Sequence, residues 1–214
     1  IVFMNWIWER CYQRGQRQTW FRKMLALKGS EMLLFDRTPS STRDWSMSEF
    51  AYSLVEIEHN ICKQDDLLDK RKHCFTVETI QKKKHYFGVD THADLLDWTT
   101  KILNSVRLAV ETVKVKIYPG SWKGTRVRLH LDIEEGLKLY TGDDKTLLWN
   151  YKFSQLRGSS DNGNTKLTLV LQSETGPVDE MVIDFANIRE VMVALLAFYS
   201  AKLADIDPAF LKNL

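Results

Sequence analysis

Two stretches of this chain carry apolar residues at helical spacing, and each one closes a long run of strand-like alternation. Leu95, Trp98, Ile102 and Val106 form the first stripe; Ile188, Val191, Met192, Leu195 and Tyr199 form the second. Both begin on a capping signal. Thr91 has Asp94 three residues on, and Asn187 has Glu190, so each side-chain oxygen is spaced to accept a backbone N–H of the first turn while the acidic partner reaches back. A chain that twice spells several strands followed by one amphipathic helix has to bury one helix face against one sheet, twice over. That predicts two units of α+β, mainly β, class.

In the first unit, Trp6 to Cys11, Trp20 to Leu27, Met32 to Asp36, Leu54 to Ile61, His73 to Thr79 and His85 to Asp90 read as strands, with polar turns at Arg14 to Thr19 and Lys28 to Glu31. In the second, Val113, Val115 and Ile117 alternate with Lys114 and Lys116, the pattern of a half-buried strand stopped at Pro119-Gly120. Val127, Leu129, Leu131 and Ile133 repeat that pattern. Leu137 with Leu139, and Met181, Ile183 and Phe185, add further strands, with turns at Gly142-Asp143-Asp144 and Gly176-Pro177. Trp149, Tyr151 and Phe153 alternate as one aromatic face. The Asp161-Asn162-Gly163 turn then reverses the chain toward Leu167, Leu169 and Leu171, which predicts a hairpin. Asp207-Pro208 starts a non-helical tail.

Composition excludes several function classes. A formal charge of +2 on 214 residues, with no basic arm, argues against a generic nucleic-acid binder. The apolar run around Val191 to Tyr199 is far below the roughly 20 residues of a bilayer span. Cys11, Cys62 and Cys74 have no paired spacing, which fits a reducing compartment. The opening IVFMNW reads as the interior of a longer protein. No phosphate loop, nucleophile elbow or paired-carboxylate motif is present, so no catalytic residues, metal ligands or cofactors are assigned. His59, His73, His85, His92 and His130 are scattered and read as surface or structural. Aromatic strand residues such as Trp149 and Phe153 are usually core, so partner contact is expected from Tyr140, Leu156, Arg157 and the tail residues Phe210 and Leu211.

The run Leu148 to Gly163, LWNYKFSQLRGSSDNG, with AKLADIDPAFL at Ala201 to Leu211, resembles the unique C-terminal domain of the syntrophins, whose characteristic run is LWRYKFSQLKGSSDDG. Upstream, WFRKMLALKGSEMLLF, HCFTVET and HYFGV with the Trp98 helix resemble the second pleckstrin-homology domain of that family, and STRDW at Ser41 to Trp45 leans toward its gamma branch. The resemblance implies a pleckstrin-homology domain over residues 1–108 and a syntrophin-unique domain, also pleckstrin-homology-like, over 109–214. Each is a bent antiparallel sheet closed by a C-terminal helix. It further implies a noncatalytic adaptor that binds C-terminal helices of dystrophin, utrophin or dystrobrevin and tethers signalling cargo to the submembrane cytoskeleton, at the cytoplasmic face of the plasma membrane. Actin and anionic lipids are further candidate partners; nucleic acid and small-molecule substrates are not. An alternative is a peripheral phosphoinositide-binding module that uses Arg14, Arg17, Arg22 and Lys23, which lie where many pleckstrin-homology domains grip inositol phosphates. Glu9, where that pattern wants a Lys, opposes it.

Overall fold

The computed structural model describes residues 3–11 and 19–206. These separate into two compact units, the first reaching Ala109 and the second starting at Val110. The first unit runs β1 (Phe3–Cys11), β2 (Thr19–Lys28), β3 (Glu31–Phe35), a short helix α1 (Thr42–Trp45), β4 (Phe50–Ser53), β5 (Ile57–Ile61), β6 (Cys74–Thr79), β7 (Lys84–Gly88) and α2 (His92–Val113). Its seven antiparallel strands are ordered β4-β3-β2-β1-β7-β6-β5. The second unit repeats this with β8 (Val115–Trp122), β9 (Thr125–Asp132), β10 (Gly136–Thr141), β11 (Leu147–Tyr151), β12 (Leu156–Asp161), β13 (Lys166–Gln172), β14 (Val178–Asp184) and α3 (Ile188–Ile206), ordered β11-β10-β9-β8-β14-β13-β12. Each unit is thus a seven-stranded antiparallel sheet followed by its C-terminal helix, the class the sequence predicts.

Within the first unit the seam between the two half-sheets is short. β1 meets β7 at Trp8–Gly88 and Glu9–Phe87. Trp98, 2% exposed, packs edge-on to Phe3 at 4.7 Å and near Phe75 at 6.5 Å, in the company of buried Leu95 and Ile102. The predicted cap of α2 is present: Asp94 N donates to Thr91 Oγ1 at 3.1 Å and Thr91 N to Asp94 Oδ2 at 3.2 Å. The expected strand Leu54 to Ile61 is different. Leu54 and Val55 are both buried, and consecutive residues of a strand cannot face the same side. The chain instead ends β4 at Ser53, makes a 3-10 turn over Leu54–Glu56, and restarts as β5 in the other half-sheet.

Two expectations for the second unit also change. Val113 is the last residue of α2, and Val115 and Ile117 are 37% and 46% exposed, while Tyr118 turns inward. β8 runs on through Pro119-Gly120 to Trp122. β14 pairs with it at Ser121, so one side of the strand is unpaired at Pro119 and a missing N–H is tolerated there. Gly120 is needed because a Cβ would fall 2.7 Å from the Asp184 carbonyl and 2.9 Å from the Phe185 ring. The second change concerns the aromatic run. The hairpin is β12–β13, while Trp149 and Tyr151 belong to β11 and Phe153 to a 3-10 turn between them. Its turn is built by Asn162 Oδ1, which accepts from the backbone N of Asn164, Thr165 and Lys166 at 2.9–3.1 Å, and by Gly163 at φ +71°. At α3, Glu190 N donates to Asn187 Oδ1 at 3.4 Å.

Trp98→Ala removes the largest helix side chain in the first core and leaves a cavity, so unfolding in denaturant should show a loss of about 3–5 kcal/mol. A loss under about 1 kcal/mol is incompatible with this packing.

Candidate interaction surfaces

The interior of the first unit holds a polar chain that sequence spacing does not reveal. Glu9 lies on the same face of β1 as Ile7 and is 5% exposed. Its Oε1 is 2.7 Å from His85 Nδ1, and His85 Nε2 is 2.9 Å from the Tyr52 hydroxyl. Phe50 and Phe87 flank the imidazole at 4.5 and 5.9 Å. A carboxylate in such surroundings is tolerable when hydrogen-bonded, and His85 supplies that bond. With Glu9 and His85 both under a tenth exposed, the arrangement is a buried strut that substrate does not reach.

Lys23 is likewise committed. Its ammonium pairs with both Asp36 and Glu49. Burial by itself depresses the Lys23 pKa, but the hydrogen bonds to the two carboxylates outweigh it and raise the pKa above the ordinary lysine value. Arg22, next in sequence, points from the opposite face of β2, with its guanidinium 5.0 Å from the Trp6 ring. The two described members of the predicted basic cluster therefore do not converge; Arg14 and Arg17 lie outside the described residues.

The outer face of the same sheet is also saturated from within. Arg71 lies between Trp8 and Trp20, 5.0 and 4.9 Å from their rings, and pairs with Asp90 at 3.3 Å. Asp69 accepts from Trp20 Nε1 at 2.7 Å and pairs with Arg10 at 2.6 Å. These contacts staple the segment before β6 across β1 and β2, so the Trp8 and Trp20 faces, like that of Trp6 under Arg22, are taken by the chain's own arginines. Cys62 N donates to the Cys74 carbonyl at 2.9 Å, which makes the two cysteines cross-strand neighbours despite their unremarkable spacing; all three thiols are free. Burial pushes the Cys74 thiol up to about 11. Among the described residues no group of His, Cys, Asp or Glu is gathered to hold a metal ion.

In the second unit, four strands leave an open face. Cross-strand register puts Val115 and Ile117 of β8 beside Asp132 and His130 of β9, and Arg128 beside Tyr140 of β10, which pairs in turn with Leu147 of β11. Tyr140 rests on His130 at 4.6 Å, and Asp144 ties His130 (3.0 Å) to Arg128 (2.5 Å). Ile117 and Leu147 are 46% and 48% exposed, so apolar side chains stand in water around a half-buried tyrosine. Beside this face opens a cleft of about 1050 Å³ whose lining includes Pro119, Arg126, Arg128, Asp143 and Asp184.

Of the predicted partner residues, Tyr140 is on this face. Arg157 is exposed on β12, at the other end of the sheet order, bonded to Gln172 at 3.0 Å. Leu156 is a correction: at 7% exposure, paired with Leu171, it belongs to the core. Phe210 and Leu211 lie outside the described residues. Val115, Ile117 and Leu147 were not anticipated, because alternation groups residues on a face without saying which face is inside.

Residues 111–207 match the family of the syntrophin C-terminal PH domain. Over 214 residues the whole chain is 35% identical to gamma-1-syntrophin of Mus musculus and of Homo sapiens, and over 232 residues it is 32% identical to gamma-2-syntrophin of Mus musculus. The chain spans 41% of the length of the gamma-1 relatives and 43% of that gamma-2 relative. Among solved structures, the PH domain of human pleckstrin homology domain-containing protein family A member 5 aligns at 14% identity and a TM-score of 0.40, over 49% of this chain and 75% of that one.

Two outcomes test the interior. His85→Ala strands Glu9 without its partner and should cost about 3–5 kcal/mol in denaturant unfolding. His59 packs on Phe75 at 5.1 Å, and burial lowers its pKa from 6.5 to about 4. Since the folded state favours the neutral ring, stability is full above pH 6.5 and is lost as pH falls toward 4, by about 3 kcal/mol. His59→Gln should flatten that part of the stability–pH curve.

Proposed function

This chain is of syntrophin type along its whole length, with a syntrophin C-terminal PH domain as its second unit, and on that premise we propose that it is a noncatalytic adaptor segment that holds a helix from the C-terminal region of dystrophin, utrophin or dystrobrevin. Syntrophins and pleckstrin-homology folds in general work by binding. The first unit, residues 1–108, serves as the family's second pleckstrin-homology domain, and residues 109–214 as its unique domain. No helix of the described residues is long and apolar enough to cross a membrane. On this reading, attachment at the submembrane cytoskeleton comes from the partner.

The observation that carries this reading is the open face of β8–β11. Neighbouring strands are about 4.8 Å apart, so the four strands span about 14 Å, enough to seat the roughly 11 Å over which an amphipathic helix presents anchors at i, i+4 and i+7. Ile117, Tyr140 and Leu147 offer the apolar row, and Arg128, Asp132 and Lys138 a polar rim. The phosphoinositide reading is weaker, since Lys23 is spent on Asp36 and Glu49 and the buried position of Glu9 is acidic.

The test combines calorimetry with vesicle flotation. Ile117→Asp with Leu147→Asp should weaken binding of a dystrophin-family C-terminal helical peptide at least tenfold while the melting temperature changes little, because both side chains already face water. Phe210→Ser with Leu211→Ser examines the tail in the same assay. Unchanged affinity in the first variant rejects the β8–β11 face. Tight, stereospecific flotation with phosphoinositide vesicles, lost on reversal of Arg22 and Lys23, favours the lipid module instead.

A further inference from the structure

The segment between β3 and β4 is held at its ends by Lys23 through Asp36 and Glu49, and its middle is tied by the carboxylate of Asp44. The Asp44 carboxylate accepts from Ser40 N at 2.9 Å, Ser40 Oγ at 2.9 Å and Ser41 N at 3.0 Å, while Ser41 Oγ accepts from Asp44 N at 3.3 Å. The backbone bond from Ser40, followed by that of its hydroxyl, holds Asp44 below the usual carboxylate range. α1 itself buries no residue. Its contribution is Trp45, which stands edge-on to Phe35 at 5.4 Å and, with Met4, packs on a cluster of Met24, Ala26, Leu33 and Phe35. That cluster lies on the opposite side of β2 from buried Leu25 and Leu27. Lys28 completes the cover, its ammonium 4.7 Å from the Trp45 ring. The STRDW run is therefore a strap: one tryptophan as plug, one aspartate as clasp, two serines as the points it grips.

Ser40 is exposed, and exposed Arg37 stands three residues before it, the spacing that arginine-directed serine/threonine kinases select. We propose that Ser40 is a phosphorylation site and that its modification opens the Trp45 strap. In the transfer, Ser40 Oγ bonds to the γ-phosphorus of ATP, the bond to the β-phosphate oxygen breaks, ADP departs and the hydroxyl proton passes to the kinase's base. The product has lost the O–H that donated to Asp44. In its place stands a group of about two negative charges within hydrogen-bonding reach of a carboxylate. Repulsion at that distance turns the clasp against the strap. With the clasp gone, α1 is held only through the half-buried Trp45, and four residues are too few for a helix to persist on its own. Trp45 lifts, and the Met24–Phe35 cluster loses its aromatic cover.

The experiment treats the full chain with an arginine-directed serine/threonine kinase and Mg-ATP, maps phosphate by peptide mass spectrometry, and follows amide hydrogen exchange over residues 41–47 and iodide quenching of Trp45, with Trp45→Phe as the spectral reference. The expected result is phosphate on Ser40, absent in Ser40→Ala, with exchange over 41–47 at least tenfold faster and Trp45 newly quenchable. Asp44→Asn, unphosphorylated, should reproduce the faster exchange, which separates loss of the clasp from any other effect of the phosphate. Phosphate found elsewhere but not on Ser40 overturns the site. Phosphate on Ser40 with exchange unchanged or slower, as when it pairs with Lys28 or Arg43 and tightens the loop, overturns the opening.

Discussion

Each unit depends on a seam that its backbone barely closes. In the first, β1 and β7 share two residue pairs, Trp8–Gly88 and Glu9–Phe87; in the second, β14 and β8 share one, Asp184–Ser121. Two or fewer ladder pairs contribute little net stability, since each hydrogen bond formed replaces bonds to water. What holds the half-sheets together is the apolar interior, to which the closing helix contributes. Trp98 and Ile102 do this in one unit, and Val191, Leu195 and Phe198 in the other, all at most 2% exposed. The caps of these helices follow from the same need, because a frayed first turn would withdraw the residues nearest the seam.

The polar groups of the first unit are disposed around this constraint. Glu9 is itself one of the seam residues, and its link to His85 joins β1 to β7 by side chains where the backbone pairing is sparse. Lys23 with Asp36 and Glu49 joins β2 to the ends of the β3–β4 segment. Arg71 and Asp69 staple a long segment across β1 and β2. Charges and aromatic rings that look available in a list of residues are thus engaged inside the unit, and their recognition value is correspondingly low. The second unit differs, for its β8–β11 face leaves Ile117 and Leu147 in water with no such cover. The two units thus differ in how completely each sheet face satisfies itself.

Local chemistry was legible from the sequence wherever the responsible groups are close along the chain. Thr91 with Asp94, Asn187 with Glu190 and the Asn162-Gly163 turn all act over four residues or fewer, and the structure has them as read. The alternation of Val127, Leu129 and Leu131, and of Leu167, Leu169 and Leu171, marked buried strands correctly, since both patterns stay in phase for the whole strand. The resemblance to syntrophins at Leu148 to Gly163 was equally local. It identified a family, while the alternation of Trp149, Tyr151 and Phe153 assigned the wrong outgoing strand to a hairpin whose turn and returning strand are as read.

The sequence by itself therefore determined the number of units, their strand-then-helix order, the caps, the main turns and the family. Tertiary structure alone decided which face of a strand is inside and which charges are free. Val115 and Ile117 alternate as a core strand does, yet Tyr118 takes the inside, because the phase of a period-two pattern is set by the sheet it joins. Leu54 and Val55 are both buried because the chain crosses there between half-sheets. Glu9 finds His85 across 76 residues, Trp20 finds Asp69 across 49 and Lys23 finds Glu49 across 26. The physical reason is common to all of these. A cap or a turn is an interaction of neighbours, whose geometry the covalent chain supplies, whereas burial and ion pairing depend on distances that exist only once remote strands have been brought together.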